Sequence, residues 1–408
     1  MSKYGSEIQI ALLSGGWDRP YAFGLTSALV RDGIRVDLIA GDDLKATDFP
    51  HASDFLTVFN FREGPSPRAS MLAKVVRVVS YYAKLLHYAW TAKPRIFHIL
   101  WNNGFDTFDR VVLMLYYRLL GKRVVLTAHN VNAGRRDAKD TLWNRLTLRF
   151  QYALCHHIFV HTDKMKQELT DGFGIGPDSV TVIPFGINDS VPNTSLSPAQ
   201  AKARLGLQPG EKTLLFFGNI APYKGLEYLI EAFRQIAAAK SGYRLIVAGR
   251  PKPRLETHWD EVRARIGNNP ESQGLLLKIE YVPDEETEIY FKAADVLVLP
   301  YTEIFQSGVL FLGYSFGLPA LVSDVGSLRD DVLEGDTGFV FAPRDSEALA
   351  RSIEMYFDSD LFRDLAVRRP AIIAHASAAP SWDTVADATR RAYLELLPVS
   401  ASSTSSIA

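Results

Sequence analysis

The chain has 408 residues, of which 47 % are hydrophobic and 22 % charged, a composition typical of globular proteins that excludes general disorder. This length exceeds what one hydrophobic core usually serves, so two domains, or else three, are expected. Its single cysteine, Cys155, excludes a disulfide scaffold, and no signal-peptide-like or long uncharged apolar stretch is present, which favours the cytoplasm.

The net charge of −1 conceals an uneven distribution of basic residues. Residues 66–170 contain 17 Lys and Arg against 6 Asp and Glu, so this window carries +11 and the rest of the chain about −12. Such a separation predicts a surface that contacts an anionic partner. Solvated helices that happen to carry Lys and Arg would give the same count.

The first half of the chain alternates apolar strands with helical segments. The run Ile8–Leu13 ends in Ser14-Gly15-Gly16, which predicts a buried parallel strand and a tight turn into a helix at Ala22–Asp32. Further strands are expected at Val36–Ala40, Ile96–Leu100, Val124–Thr127, Ile158–Val160 and Val180–Ile183. Repeated strand–helix units indicate a parallel sheet covered on both faces.

Residues 188–198 are rich in Ser, Pro, Asn and Thr, which predicts an interdomain linker. The strand–helix pattern then restarts, with a helix at Glu227–Lys240 and strands at Thr213–Phe217, Arg244–Ala248, Val296–Pro300 and Ala320–Ser323. The fold class is therefore α/β, with two successive Rossmann-like domains. Because ligands of such sheets bind beyond the carboxyl ends of the strands, the loops that follow strands are the candidate sites.

One such loop carries Lys224, between a strand that ends at Gly218 and a helix that begins near Gly225. A lysine at a helix N-terminus adds a charge to backbone N–H groups that already favour anions, so a diphosphate would suit this loop. Alternatively, Lys224 is an ordinary surface lysine in a turn.

A second loop, Gln306-Ser307-Gly308-Val309, opens an apolar helix after the strand that ends at Pro300. Ser307 is expected to cap this helix with its side chain, and Gly308 permits close approach of a phosphate to the backbone. A serine that only caps a helix needs no ligand. Two helix N-termini that could each bind an anion lie in this one domain, however, and this favours phosphate binding.

These segments resemble the retaining family-4 glycosyltransferases, also called glycosyl transferases group 1, closely over most of residues 213–358 and more loosely in the N-terminal half. Four short motifs stand where the family pattern has them: Ala293-Ala294-Asp295, Gly317-Leu318-Pro319, Asp324-Val325-Gly326 and Gly335-Asp336-Thr337-Gly338. The resemblance implies the GT-B fold, two Rossmann-like domains facing a central cleft. It further implies donor contacts from Gly218, Asn219, Lys224, Arg250, Val282, Glu303, Gln306, Ser307, Gly308 and Val309.

The chain departs from the family pattern at three positions. Asn219 stands where an arginine is usual, and Ile304 and Leu312 stand where two glutamates are usual. Lys224 and Arg250 are left to supply positive charge to the diphosphate. Glu303 is a candidate for part of the donor contact, or else a solvated loop charge.

In the N-terminal half, Gly15 and Gly16 resemble the family's loop that lines the cleft below the donor. His129 ends a strand where the family has a histidine against the transferred sugar, so His129 and Lys224 are the candidate catalytic residues. A packed loop histidine is the alternative. The spacing of His156, His157 and His161 fits no zinc site, no D-x-D motif occurs, and neither a metal nor another cofactor is expected.

The basic window contains a helical pattern. Lys74, Arg77, Tyr81, Lys84 and Tyr88 recur at spacings of three and four, which predicts one helix face, and apolar residues occupy the opposite positions Leu72, Val75, Val76, Val79 and Leu86. The basic face is predicted to dock on an anionic membrane surface, which would make the protein peripheral on the inner face of the membrane. A solvated helix face is the alternative, and no nucleic-acid-binding module is recognised.

The domain prediction follows from these elements. Residues 1–190 form an acceptor-side domain, residues 199–378 form the nucleotide-sugar-binding domain, a helix at 381–397 packs back on the first domain, and 399–408 form a disordered tail. The sequence indicates transfer of a hexose from a UDP- or GDP-sugar to an acceptor hydroxyl of a lipid-linked or surface glycan, with retention implied by the resemblance. Two alternatives stay open: a non-catalytic nucleotide-sugar-binding protein, and an epimerase, for which no convincing pair of carboxylates is found.

Overall fold

The computed structural model describes residues 8–16, 18–41, 44–49, 54–62, 70–136, 140–186, 191–252, 255–378 and 381–397. They form two compact units. The first unit comprises the described residues up to 132, 140–186 and 381–397, and the second comprises 133–136 and 191–378. Each unit has its own parallel sheet, so the predicted α/β class with two Rossmann-like units is confirmed.

The sheet of the first unit has seven parallel strands. Its strands are β1 (Gln9–Leu13), β2 (Arg35–Ala40), β3 (Leu56–Asn60), β4 (Ile96–Ile99), β5 (Arg123–Thr127), β6 (His157–Val160) and β7 (Val180–Val182). They lie in the order β3-β2-β1-β4-β5-β6-β7, so the direction of strand addition reverses between β1 and β4. Central strands such as β4 are buried throughout, as expected for a sheet covered on both faces.

The sheet of the second unit has six parallel strands. Its strands are β8 (Lys212–Phe217), β9 (Tyr243–Ala248), β10 (Leu275–Lys278), β11 (Val296–Leu299), β12 (Ala320–Ser323) and β13 (Gly338–Phe341). Their order is β10-β9-β8-β11-β12-β13, and the reversal falls between β8 and β11. Ligands of doubly wound sheets bind at such reversals, beyond the carboxyl ends of the two strands.

Helices connect the strands in both units. They are α1 (Arg19–Arg31), α2 (Met71–Thr91), α3 (Met114–Leu119), α4 (Ala133–Arg136), α5 (Leu142–Leu154), α6 (Asp163–Phe173), α7 (Pro198–Arg204), α8 (Leu226–Ala239), α9 (Glu256–Ile266), α10 (Asp284–Ala293), α11 (Gly308–Ser315), α12 (Ser346–Asp358), α13 (Asp360–Arg363), α14 (Leu365–Ala378) and α15 (Trp382–Leu396). A π-helical turn at Phe108–Leu113 precedes α3, and 3-10 turns occur at Ala46–Asp48, Pro177–Ser179, Pro222–Lys224 and Glu271–Gln273.

Local sequence explains several helix ends. The Asp18 carboxylate accepts the backbone N–H of Tyr21 at 3.1 Å, and Pro20 in the first turn is already constrained to a helical φ, so α1 begins there. Helix α6 begins after Thr162, whose hydroxyl accepts the N–H of Met165, and ends at Gly174 with a φ of 70°.

The strands expected from the sequence are present, but three others were not predicted. The unpredicted strands are β3, β10 and β13, and all three are edge strands of their sheets. In β3 a threonine interrupts the apolar residues, as partial exposure at an edge allows. Partial exposure does not explain the other two, because β10 contains three consecutive leucines and β13 contains Phe339, Val340 and Phe341 in a row.

Helix α15 packs on α1 of the first unit. The Trp382 indole is 6 % exposed, lies so close to Gly24 and Gly186 that a Cβ on either would clash with it, and has its centroid 5.1 Å from the ring of Tyr21. Glycine at positions 24 and 186 is thus required by the indole. The expected disordered tail, 399–408, lies outside the described residues.

The segment expected to be a linker is partly packed in the second unit. Residues 188–190 lie outside the described residues, whereas Val191 and Leu196 belong to the hydrophobic core of the second unit. The Thr194 N–H donates to the Glu288 carboxylate at 2.6 Å. The polar composition of 191–197 therefore reflects specific hydrogen bonds rather than a free linker.

Helix α2 is oriented differently from the predicted basic face. Tyr81 and Tyr88, assigned to that face, are buried, with Tyr88 donating to the Asp37 carboxylate at 2.7 Å. The apolar positions are exposed instead: Leu72 73 %, Val75 52 %, Val76 58 % and Val79 63 %. The face prediction was wrong because the tyrosine rings pack inward, which leaves the aliphatic stripe outside. None of the described helices is both long and apolar enough to cross a membrane.

Candidate functional site

Most of the residues singled out from the sequence lie at the two positions where the strand order reverses. In the second unit, the loop after β8 carries Gly218, Asn219 and Lys224, and the neighbouring loop after β11 carries residues 303–307. In the first unit, Gly15 and Gly16 follow β1 and the loop at Trp101 follows β4. Each cluster therefore lies where a doubly wound sheet offers a ligand site.

Lys224 is buried at the end of the 3-10 turn Pro222–Lys224 and is only 7 % exposed. Its Nζ donates to the Tyr301 hydroxyl at 2.5 Å and lies 3.9 Å from the centroid of the Tyr301 ring. Burial, together with the nearby Arg136 guanidinium, lowers the pKa of Lys224 to about 7. No carboxylate salt bridge to Lys224 is found among the described residues, so an anion would be its natural counter-charge.

Tyr301 connects Lys224 to the start of α11. The Tyr301 hydroxyl lies 3.3 Å from the Ser307 Oγ, and the Ser323 hydroxyl donates to the Tyr301 carbonyl at 2.5 Å. Tyr301 is fully buried and was not singled out from the sequence. The available signal was its position, the second residue after a buried strand at the reversal point.

Ser307 is the residue before α11, as predicted, but its side chain does not cap the helix. The Ser307 hydroxyl is directed to Tyr301 instead, so the capping prediction was wrong. In the part of the chain that is described, no other side chain caps α11. The first N–H groups of α11, at Gly308 and Val309, thus keep the anion preference of an uncapped helix start.

Two glycines allow the loops after β8, β9 and β11 to lie against one another. A Cβ on Gly225, whose φ is 63°, would lie 1.9 Å from the Pro300 carbonyl oxygen. A Cβ on Gly249 would lie 1.9 Å from the Gly218 carbonyl oxygen. Only glycine fits at these contacts, which hold the loops after β8, β9 and β11 together.

The other expected donor contacts differ in exposure. Asn219 and Arg250 are exposed, and the Arg250 guanidinium lies 5.3 Å from the centroid of the Tyr281 ring. The Val282 side chain is buried in the core, which leaves its backbone for any donor contact. Val309 lies beside Gly218, 3.7 Å from where a Cβ would stand.

Glu303 and Gln306 follow β11 in the same loop as Ser307. The Arg135 Nε donates to the Glu303 carboxylate at 3.2 Å, in a half-exposed salt bridge within the second unit. The Gln306 Oε1 is buried and accepts no hydrogen bond from the described residues. A buried oxygen without a hydrogen-bond partner is a candidate to accept a hydrogen bond from a hydroxyl or N–H of a bound ligand.

In the first unit, Trp101 connects Gly15 to His129. A Cβ on Gly15, whose φ is 63°, would lie 2.6 Å from the Trp101 carbonyl oxygen. The Trp101 indole stacks on the His129 imidazole with centroids 4.0 Å apart and an interplanar angle of 1°. Trp101 was not predicted from the sequence; it is the second residue after β4, as Tyr301 is the second residue after β11.

A chain of hydrogen bonds sets the proton position on His129. The His161 Nδ1 donates to the Ile183 carbonyl at 3.3 Å, so its Nε2 accepts from the His129 Nδ1 at 3.0 Å. The His129 Nε2 is then an acceptor, and it is buried without a hydrogen-bond partner in the described structure. Burial keeps the pKa of His129 well below its usual value, and His161 and His98 lower it further.

A cavity of about 210 Å³ lies on the same side of the first sheet. Its lining includes Arg62, Tyr81 and Asn103, and Arg62 lies 3.0 Å from where a Cβ on Gly16 would stand. The Tyr81 hydroxyl and the Arg62 guanidinium both donate to the Asn103 side-chain oxygen. The buried Asp109 carboxylate accepts the N–H of Asn103 at 2.9 Å and holds this loop.

The two candidate catalytic residues lie in different units, His129 in the first and Lys224 in the second. Over the described ranges, no cluster of three His, Cys, Asp or Glu side chains suited to a metal ion is found. His157 and His161 are buried, and the His157 Nε2 hydrogen-bonds the Thr181 hydroxyl.

Comparison with known proteins decides the family. Residues 20–191 match the family described as Glycosyltransferase Family 4, and residues 211–359 match the family described as Glycosyl transferases group 1. The chain belongs to this glycosyltransferase family. The predicted resemblance to family-4 glycosyltransferases is thereby confirmed, and the retention that it implies stays a prediction.

Proteins with similar sequences are named as glycosyltransferases. A D-inositol 3-phosphate glycosyltransferase of Corynebacterium diphtheriae is 26 % identical over 90 % of this chain and 88 % of its own length. The enzyme of that name from Acidothermus cellulolyticus is 27 % identical, but the match spans only 54 % of that relative and 60 % of this chain.

Solved structures share the fold. Sucrose-phosphate synthase from Thermosynechococcus elongatus superposes with a TM-score of 0.72 at 18 % identity, covering 96 % of this chain and 99 % of the synthase. Anabaena HepE, in complex with UDP and glucose, also gives a TM-score of 0.72, at 16 % identity, covering 96 % of this chain and all of HepE. The predicted GT-B fold is therefore confirmed.

Proposed function

We propose that this glycosyltransferase moves a hexose from a UDP- or GDP-linked donor to an acceptor hydroxyl, with retention of anomeric configuration. The observation that carries the proposal is the Lys224–Tyr301–Ser307 cluster at the reversal between β8 and β11. A buried amine beside an uncapped helix start suits a diphosphate. HepE, which shares the fold, has been solved with UDP and with UDP-glucose, and this supports a nucleotide-sugar donor.

In the proposed reaction, the bond between the anomeric carbon and the diphosphate oxygen breaks, the acceptor oxygen bonds to that carbon, and the proton of the acceptor hydroxyl passes to the departing diphosphate oxygen. The diphosphate leaves with the bonding electrons, so negative charge grows on its oxygens. Protonated Lys224 and the N–H groups of Gly308 and Val309 would stabilise this charge, and such preorganised contacts contribute about 3 kcal/mol each in other enzymes. His129 would accept a hydrogen bond from a sugar hydroxyl through Nε2.

The cavity at Arg62, Tyr81 and Asn103 is the proposed acceptor subsite. Its guanidinium, hydroxyl and amide groups match the hydroxyls and negative charge of a phosphorylated or glycan acceptor. Relatives named D-inositol 3-phosphate glycosyltransferase support an acceptor that carries a phosphate. We propose that the acceptor is lipid-linked or part of a surface glycan.

Helix α2 is the proposed membrane-docking element and would make the enzyme peripheral on the inner face of the membrane. Its exposed aliphatic stripe, Leu72, Val75, Val76 and Val79, has the exposed Lys74 and Lys84 on the same helix. Buried apolar area and attraction to anionic lipid act together at membrane interfaces. The apolar stripe, rather than the tyrosine-bearing face, would therefore enter the lipid.

The donor proposal is tested by titrating the purified chain calorimetrically with UDP, GDP and their hexose conjugates, followed by transfer and donor-hydrolysis assays. We expect Lys224→Ala to weaken nucleotide binding at least tenfold, whereas Lys240→Ala, a solvent-exposed lysine of the same unit, leaves it unchanged. Unchanged UDP binding by Lys224→Ala would refute the donor site. Tight donor binding without turnover under any acceptor would instead favour a non-catalytic binding protein.

The docking proposal is tested by flotation with vesicles of phosphatidylglycerol and, separately, of phosphatidylcholine. The double variant Val75→Asp/Val79→Asp is expected to stay with the unbound protein in both. Val367→Asp, at an 81 % exposed valine of the second unit, is the matched control and should float like the wild type. Equal recovery of the wild type with anionic and neutral vesicles would contradict the electrostatic part of the proposal.

A further inference from the structure

A second cavity, of about 510 Å³, lies at the amino ends of the strands of the first sheet. Its volume is within the range of small-molecule sites. It is lined by Arg95, Arg118, Gly121, Lys122, Arg123, His156, Leu396 and Leu397. Gly15, Gly16 and His129 follow the carboxyl ends of the strands, so this cavity is at the opposite edge of the sheet from the site described above.

Sheet topology gathers these basic residues from separate parts of the chain. Arg95 directly precedes β4, Arg123 opens β5, and His156 directly precedes β6, and these three parallel strands are neighbours in the sheet. The backbone N–H of Arg123 donates to the Arg95 carbonyl at 2.7 Å. Arg118, at the end of α3, adds a further guanidinium.

Among the described residues, the four cations of this cavity lack an acidic partner. Within the ranges that the structure describes, none of Arg95, Arg118, Lys122 and Arg123 forms a salt bridge with a carboxylate. Lys122 is buried and its Nζ donates to the carbonyls of Ala92 at 2.7 Å and Pro94 at 3.0 Å. Like charges held together repel one another, and an anion would relieve that repulsion.

His156 adds a donor to the same cavity. Its Nδ1 accepts the backbone N–H of Val124 at 2.9 Å, and burial, with Arg118 and Arg123, lowers the pKa of His156 to about 4. The imidazole is therefore neutral with its proton on Nε2. The Arg118 Nη1 lies 2.9 Å from the Nδ1 and 2.5 Å from the Nε2 of His156, so the guanidinium lies against the ring next to the Nε2–H. An anionic oxygen would accept hydrogen bonds from both.

We propose that this cavity binds a phosphoryl anion, a phosphate ester or a diphosphate, held by Arg95, Arg118, Arg123 and the His156 Nε2–H. Guanidinium groups bind phosphate oxygens through paired N–H donors, which a chloride ion cannot use in the same way. The phosphoryl group belongs either to a soluble molecule or to a lipid headgroup. This site is separate from the donor site and does not rest on the proposed function.

The experiment uses the full chain carrying Lys224→Ala, so that the proposed donor site does not contribute. Calorimetric titration with inorganic pyrophosphate measures the Kd for binding to the cavity. It is carried out in about 0.15 M salt, where exposed charges are screened. Adding Arg95→Ala/Arg123→Ala, at two exposed arginines, is expected to raise the Kd at least tenfold. Adding Arg149→Ala/Arg204→Ala, which also removes two exposed arginines, should leave the Kd within about twofold.

A second arm distinguishes the sources of the phosphoryl group. The same variants, each also carrying Val75→Asp/Val79→Asp so that α2 does not contribute, are floated with vesicles of phosphatidylglycerol, and circular dichroism verifies that each is folded. Dependence of pyrophosphate binding on Arg95 and Arg123 supports a soluble ligand, and dependence of flotation alone supports a lipid headgroup. If the Arg95/Arg123 variant matches the Arg149/Arg204 control in both arms, the proposal is overturned.

Discussion

At the scale of single residues, Lys224 shows how burial changes the chemistry of a side chain. Its amine has a neutral hydroxyl and an aromatic ring as neighbours, and burial lowers its pKa to about 7. A bound diphosphate favours the charged form of the amine, so binding of the nucleotide should be accompanied by proton uptake above pH 7. This makes nucleotide affinity dependent on pH.

We expect the Kd for UDP to rise roughly tenfold between pH 7 and pH 8.5, because the free amine is half protonated at pH 7 and largely neutral at pH 8.5. The terminal phosphate is already ionised over this range, so the ligand's own charge contributes little. Calorimetry at several pH values checks this. Lys224→Ala should bind weakly with a flat profile, while a steep profile in that variant would show that another group titrates.

Gly15 is the residue whose backbone most directly supports Trp101. Gly15→Ala is expected to lower the free energy of unfolding by more than Gly174→Ala, although both glycines have positive φ values, of 63° and 70°. A positive φ costs about 1–2 kcal/mol for alanine, and only Gly15 adds a clash, with the Trp101 carbonyl oxygen. Urea unfolding of both variants tests this, and equal losses would mean that φ alone decides.

At the scale of elements, α15 is a C-terminal segment that completes the first unit. Besides Trp382 on α1, its Tyr393 hydroxyl lies 2.6 Å from the Nδ1 of buried His98, whose Nε2 lies 2.7 Å from the Thr127 hydroxyl. The helix thus contacts α1 and is hydrogen-bonded to His98 of β4, which in turn is hydrogen-bonded to Thr127 of β5. Its removal would expose two aromatic rings and break this buried chain.

Trp382→Ala should lower the free energy of unfolding by about 3–5 kcal/mol, the range for removal of a buried large aromatic ring. Leu394→Ala, on the same helix but 41 % exposed, is the control and should cost much less. Urea unfolding followed by circular dichroism measures both. Equal losses of stability for the two substitutions would show that burial of the Trp382 indole adds nothing to the contribution of α15.

The orientation of α2 could not be predicted from periodicity. The spacing of Lys74, Arg77 and Tyr81 correctly places them on one helix face, but spacing does not say which face is covered. The Tyr88–Asp37 hydrogen bond and the Tyr81–Asn103 contact turn the tyrosines inward, and the rotation exposes the aliphatic stripe. A tertiary contact therefore overrode the usual assumption that the apolar side is buried.

At the scale of the whole molecule, buried neutral histidines link folding to pH. Burial lowers the pKa of His98 to about 3 and of His161 to about 4, and that of His129 lies well below its usual value. In the unfolded chain these side chains titrate near 6.5, so below that pH the unfolded state binds more protons than the folded state. Their contribution to stability is complete above about pH 6.5 and is lost as pH falls toward 4.

We expect the urea midpoint of unfolding to fall between pH 6.5 and 5. His98 alone should account for about 2 kcal/mol at pH 5. His98→Asn should therefore be less stable at pH 7 but show a shallower decline, whereas His87→Asn, at an exposed histidine of α2, should decline like the wild type. A parallel decline for His98→Asn would contradict this assignment.

Much of the fold was readable from the sequence, because central parallel strands are buried on both faces and appear as short apolar runs closed by glycine. The run Ala320–Ser323 was predicted with the bounds that β12 has, and the loops at Gly15, Lys224 and Ser307 were found because they follow such strands. The edge strand β3 was missed, since partial exposure removes that pattern.

The sequence by itself determined the alternation of strands and helices, the two Rossmann-like units and the loops that carry the candidate donor site. Only the tertiary structure decided that Tyr301 joins Lys224 to Ser307, that Trp101 supports His129, and that basic residues from three strand starts and α3 share one cavity. The physical reason is that periodicity and turn chemistry are local, whereas these contacts follow from the order of strands in each sheet. That order brings together residues far apart in the chain.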